Sequence, residues 1–118
     1  QTVLVHDGTY VGFSVTRGGT SNTNRITFVS KNLHGAIINT PFTLGGSLIG
    51  LYNNKNYVTI DGFILENSPD AAISPGLSDF VIIRNNIIRR SYSQGIFTWH
   101  ARNITIANNE MYNKKNEG

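Results

Sequence analysis

An all-β chain wound as a parallel solenoid is what this sequence predicts, and three observations carry the prediction. The first is composition. Asn, Gly, Ile and Thr occur 15, 12, 14 and 11 times, together 52 of 118 residues, and all four are mediocre or poor helix formers. Charged residues make up only 14%, against about 25% in an average soluble domain. The wealth of β-branched residues excludes a disordered chain. The second observation is a 23-residue repeat of short apolar segments. The third is a tight corner within that repeat, occupied in turn by Gly62, Asn85 and Asn108. These are the residue types that tolerate left-handed backbone. The length suits one domain. With no Cys, disulfides and thiolate sites are excluded. A net charge of +3 suits an acidic partner.

Taken in order, Val3-Leu4-Val5 opens with strand alternation and matches Ile26-Thr27-Phe28, one repeat on. The interval from Ile26 to Val58 is longer than one repeat, and an insertion of about nine residues between Leu33 and Gly46 accounts for the excess. Val58-Thr59-Ile60 then recurs as Val81-Ile82-Ile83 and Ile104-Thr105-Ile106. Ile64-Leu65 recurs as Ile87-Ile88 and Glu110-Met111, and Ile73 as Ile96. The unit from Asn56 to Ser78 thus holds three segments, Tyr57–Ile60, Phe63–Leu65 and Ala72–Ser74. The next holds Phe80–Ile83, Asn86–Ile88 and Gly95–Thr98. Segments this short bury no core alone. Stacked about 4.8 Å apart, each pairs with its counterpart one coil away. The expected division is N-terminal coils over 1–32, an irregular coil over 33–55 and regular coils over 56–118, about four to five coils in all. A leucine-rich repeat is excluded, because no L-x-x-L-x-L frame exists.

The repeat also shows which charges stack. Asp61 and Arg84, Glu66 and Arg89, and Asp79 and Arg102 are each one repeat apart and opposite in sign. Such neighbours contribute about 0.2–1 kcal/mol each. Arg90, His100, Lys114 and Lys115 have no acidic partner at that spacing. In the strand Gly95–Thr98, Ile96 and Thr98 are expected inward and Phe97 and Trp99 outward. Arg90, Tyr92, Phe97, Trp99 and His100 then border one exposed face. Aromatic rings stack on sugar rings, and Arg pairs with carboxylates through two hydrogen bonds. The structural alternative is that Trp99, one coil above Gly76, and Phe97, one coil above Ser74, simply shield bare backbone. No phosphate-loop, dinucleotide, zinc-protease or nucleophile-elbow motif occurs. Basic residues are spread through the coils rather than massed, which argues against nucleic acid. No apolar run approaches the roughly 18 residues of a membrane span.

Gly95-Ile96 followed by Asn103-Ile104-Thr105-Ile106-Ala107-Asn108-Asn109 resembles the repeats of the pectate-lyase-like superfamily. Val3-Leu4-Val5-His6-Asp7-Gly8-Thr9-Tyr10, Arg17-Gly18-Gly19-Thr20 and Asn24-Arg25-Ile26-Thr27-Phe28 are similar to the N-terminal coils of secreted bacterial polysaccharide lyases of the alginate, chondroitin-B and pectate type. The resemblance implies a right-handed parallel β-helix, secreted or at the cell surface. It implies an acidic polysaccharide lying along the third sheet. Lyases of this kind neutralise a uronate carboxylate with Ca²⁺ or Arg and use a Lys or Arg base. Here no carboxylates cluster for Ca²⁺, so no cofactor is expected, and no acidic cluster flanks Lys31, Lys55, Lys114 or Lys115. The expectation is therefore a carbohydrate-active module that binds acidic polysaccharide without a complete catalytic set. The alternative is a structural module that self-associates, plausibly as a homodimer through open coil ends. The chain begins and ends in mid-pattern and shows no leader, so it is expected to be a segment of a longer protein.

Overall fold

Strands of two to five residues hold no sheet by themselves, and here each finds its partners one turn of the chain away. In the computed structural model, which describes residues 1–91 and 95–112, thirteen such strands wind into three parallel sheets forming the sides of a solenoid of about four turns. The first turn is β1 (Thr2–Val5), β2 (Gly8–Val11) and β3 (Phe13–Ser14). The second is β4 (Ile26–Ser30), β5 (Ala36–Thr40) and β6 (Ile49–Gly50). The third is β7 (Val58–Asp61), β8 (Ile64–Glu66) and β9 (Ile73–Ser74). β10 (Ile82–Arg84) and β11 (Ile87–Arg89) follow, then β12 (Thr105–Ala107) and β13 (Glu110–Tyr112). Side A has the order β1-β4-β7-β10-β12, side B the order β13-β11-β8-β5-β2, and side C the order β3-β6-β9. Side C is extended by a parallel bridge from Ile73 to Ile96. There is no helix among the described residues.

In the later coils the register follows the repeat. Thr59 pairs with Ile82 and Ile82 with Thr105. Leu65 pairs with Ile88 and Ile88 with Met111. Between the second and third coils the offset exceeds one repeat and decays in steps. The excess is nine at Ile26↔Val58, four at Ile37↔Ile64 and one at Ile49↔Ile73. It vanishes at Thr59↔Ile82. The surplus is thus divided as five residues before β5, three between β5 and β6, and one after β6, rather than being one insertion. The first coil departs from the expected spacing. Val3 pairs with Phe28, not Ile26, two positions beyond one repeat. A slip of two keeps every side chain on its own face, so alternation alone does not distinguish the two registers.

The bore is filled by columns of like residues. Val58, Ile60, Val81 and Ile83 line side A, Ile38, Leu65 and Ile88 side B, and Ile49 and Ile73 side C, all essentially inaccessible. Each contributes on the order of 2 kcal/mol by leaving water. The A-to-B corner is polar inside and is closed by an asparagine ladder. Asn86, 1% exposed, accepts the Phe63 N–H at Oδ1 (2.9 Å) and donates from Nδ2 to Ile60 O (3.3 Å). Asn109 repeats the pattern one coil on, accepting the Asn86 N–H (2.9 Å) and donating to Ile83 O (2.9 Å).

The corners of the regular coils turn through left-handed backbone. Gly62, Asn85 and Asn108 do so at φ 83°, 59° and 57°, as their residue types predict. Three further columns, Asn53–Leu77–His100, Tyr57–Phe80–Asn103 and Asn67–Arg90, also have positive φ among the described residues. For non-glycine residues this costs about 1 kcal/mol each, and stacking offsets part of it. The Tyr57 and Phe80 rings lie 4.9 Å apart and parallel. Arg25 rivets the same corner, donating to Val58 O (3.3 Å) and Phe80 O (2.8 Å) with its guanidinium 5.8 Å from the Tyr57 ring centre. Burial lowers the Arg25 pKa, with Tyr57 acting the other way.

Candidate functional site

The three ion pairs expected from column spacing are present. Arg84 Nε meets Asp61 at 2.9 Å, Arg89 Nε meets Glu66 at 2.7 Å, and Arg102 Nη2 meets Asp79 at 3.5 Å. Arg90 is not the unpaired cation the spacing implied. Its Nη2 lies 2.9 Å from Glu66 Oε2, the oxygen that Arg89 also engages, and its Nε donates to Asn67 Oδ1 at 2.9 Å. Glu66 stands one position off the column of Arg90. It is a diagonal neighbour that same-column arithmetic overlooks and a long guanidinium reaches. Asp61, Glu66 and Asp79 are thereby each engaged by arginine. Among the described residues, no three His, Asp or Glu side chains gather to hold a metal ion.

Arg90 sits in the B-to-C corner, whereas Phe97, Trp99 and His100 lie beyond it, on side C and in the C-to-A corner. Tyr92, Lys114 and Lys115 lie outside the described residues. Ile96 packs against the core. Phe97 and Trp99 are exposed, at 44% and 53%. Thr98 is exposed, and the chain has left the strand there. The Thr98 carbonyl accepts the Ala101 N–H (3.2 Å), closing a turn with Trp99 and His100 at its centre. Their rings meet edge-to-face, with centres 4.4 Å apart.

This turn is stacked through the coils. Pro75-Gly76-Leu77-Ser78 makes the same turn one coil below, closed by Ser78 N–H to Pro75 O (3.3 Å). Tyr52-Asn53-Asn54-Lys55 lies below that. Asn53 N–H bonds to Gly76 O (3.2 Å), and Leu77 N–H bonds to Trp99 O (3.1 Å). Glycine at the middle level is buried, covered from either side by the Tyr52 and Trp99 rings. A methyl group placed on Gly76 would meet Tyr52 Cδ1 at 3.6 Å and Trp99 Cε3 at 3.8 Å, ordinary contact distances. Tyr52 is itself exposed, and its ring lies over the bare backbone of Gly50 with Phe42 beside it. Lys55 closes the lowest turn, its Nζ donating to Tyr52 O (2.7 Å) and Asn53 O (3.1 Å). An ammonium has three donors. The stacked segments 52–57, 75–80 and 99–103 carry two cations, Lys55 and Arg102, against one carboxylate, Asp79.

The sequence does not single out Tyr52 or Lys55 as site residues. The placement of Trp99 one coil above Gly76 is visible in the repeat. Tyr52 is hidden by the single surplus residue after β6. An apolar cavity of about 540 Å³ opens at the first coil between Val3, Val5, Phe13 and Phe28. It is the bore seen end-on and gathers no group of charged side chains. Comparison with known proteins finds no matching family model, no matching curated protein and no matching solved structure.

Proposed function

We propose that this solenoid binds an acidic polysaccharide on the outer face formed by side C and its C-to-A corner, as a module of the pectate-lyase-like kind. The observation that carries the reading is the joint exposure of Tyr52, Phe97 and Trp99 beside a corner whose charges are mainly positive. Aromatic faces suit the apolar faces of pyranose rings, and surplus positive charge suits a uronate or sulfated chain. Arg90, Phe97, Trp99 and His100 keep the substrate-binding role expected of them, with Arg90 a secondary contact because Glu66 and Asn67 already hold it. The module acts by binding rather than by cleavage, since the engaged carboxylates serve the coil stack. Under this reading it works outside the cell or at its surface.

The test is titration with pectate, alginate and chondroitin sulfate by calorimetry, with absorbance of unsaturated uronate followed in parallel. Binding to at least one polymer, weakened about tenfold in Trp99→Ala and without absorbance growth, is expected. Absence of binding to all three rejects the reading. Growing absorbance overturns the binding-only assignment.

A further inference from the structure

We infer that Arg102 is the residue of the C-to-A corner that takes the carboxylate of a uronate polymer passing over Trp99. The inference rests on the polysaccharide reading and adds to it the residue that selects for charge. Among the described residues, four arginine–carboxylate contacts tie the coils together, and they are not alike. Arg84, Arg89 and Arg90 approach their carboxylates at 2.9, 2.7 and 2.9 Å, with 45%, 29% and 48% of the side chain exposed. Arg102 reaches Asp79 at 3.5 Å with one terminal nitrogen and is 81% exposed. Asp79 has another donor, since its Oδ1 accepts from Asn103 Nδ2 at 2.8 Å. A guanidinium carries five donors in a fork that fits a carboxylate. Arg102 therefore engages Asp79 through one nitrogen and keeps most of its fork for a second anion. An exposed pair of this kind holds a fold only weakly, so substitution of Arg102 spares the coil stack. Its placement follows from the coil below. Asp79 and Arg102 form a parallel bridge, and the Arg102 N–H donates to Ser78 O at 3.1 Å. Trp99 lies over Gly76 in the same lower turn, is braced edge-to-face by His100, and is still 53% exposed. The two side chains thus lean on one coil, at footings three residues and at most about 11 Å apart. The intervening Leu77 and His100 are both exposed.

The experiment is calorimetric titration with polygalacturonate and alginate, each beside its carboxyl-reduced form, at one salt concentration. Emission of Trp99, the sole tryptophan of the chain, is followed in parallel and is expected to change on binding. Arg102→Met is expected to weaken the uronate polymer at least fivefold and to leave the carboxyl-reduced form within twofold. Arg102→Lys keeps the charge and loses the fork, and about a threefold loss is expected. Arg84→Met removes an equal charge at the far end of side A and is expected to stay within twofold of the wild type. Urea unfolding of each variant separates lost folding from lost binding. Equal losses for both forms of the polymer in Arg102→Met overturn the assignment while leaving the polysaccharide reading in place. So do equal losses in Arg102→Met and Arg84→Met, or calorimetric binding with silent Trp99 emission. Absence of binding to both uronate polymers overturns the assignment, and absence of binding to chondroitin sulfate as well removes the polysaccharide reading with it.

Discussion

Replacing Asn86 with Ala tests whether the asparagine ladder holds the coils in register. The substitution removes an acceptor from the Phe63 N–H and donors from Ile60 O and Asn109 Oδ1. Phe63 is fully buried, so its N–H keeps no route to water. A buried donor left unpaired costs about 1–3 kcal/mol, and each further lost bond about 0.5–1.5 kcal/mol. The two carbonyl-type partners can recover part of their bonding, so the expected loss is about 3 kcal/mol. That is a large share of the roughly 5–15 kcal/mol typical of a folded domain. Asn109→Ala makes the same chemical change at a half-buried position that water reaches, and about 1 kcal/mol is expected there. Asn86→Leu restores volume but not the acceptor, so it should rescue little. The assay is urea unfolding, with the midpoint read at constant slope. An Asn86→Ala loss below about 0.5 kcal/mol, the lower end for a single hydrogen bond, or a larger loss in Asn109→Ala, refutes the argument. Full rescue by Asn86→Leu would mean that volume, not the hydrogen bond, is what matters.

Other substitutions probe the corners and the ion pairs. Glu66→Gln leaves Arg89 and Arg90 without their shared carboxylate. With both guanidiniums partly solvated, about 1–2 kcal/mol should be lost in the same unfolding assay. Arg25→Met keeps the stem but drops the bonds to Val58 O and Phe80 O, and a loss of about 2 kcal/mol is expected. Gly12→Ala would drive its methyl carbon into the Leu48 carbonyl. It should prevent formation of the first coil, seen as loss of amide protection in β1 to β3 under hydrogen exchange. Gly62→Ala, at φ 83°, should lose about 1 kcal/mol through left-handed strain, measured by thermal unfolding.

The parts of this fold legible in the sequence are those where one residue type can be compared with its counterpart one repeat on. Asp61 over Arg84 and Gly62 beneath Asn85 and Asn108 are of this kind, because charge sign and tolerance of positive φ are properties of single residues. The left-handed Leu77, Phe80 and His100 are not. Nothing in an isolated Leu or Phe favours that conformation, which is imposed by hydrogen bonds to the coil above, such as Leu77 N–H to Trp99 O and Phe80 N–H to Arg102 O. Diagonal contacts escape for a related reason. Arg90 reaches Glu66 because a guanidinium spans more than one column, so an absent partner in the same column is no proof of a free charge. The same reasoning relocates the candidate site. A cation already held by a carboxylate and an amide has less to offer a ligand than one capping backbone carbonyls with a donor to spare. Under the proposed polysaccharide reading, recognition therefore rests more on the C-to-A corner, with Trp99 and Lys55, than on Arg90 in the B-to-C corner. Spacing points to Trp99, but only the stepwise decay of the register between the second and third coils puts Tyr52 in the same column, on the far side of Gly76.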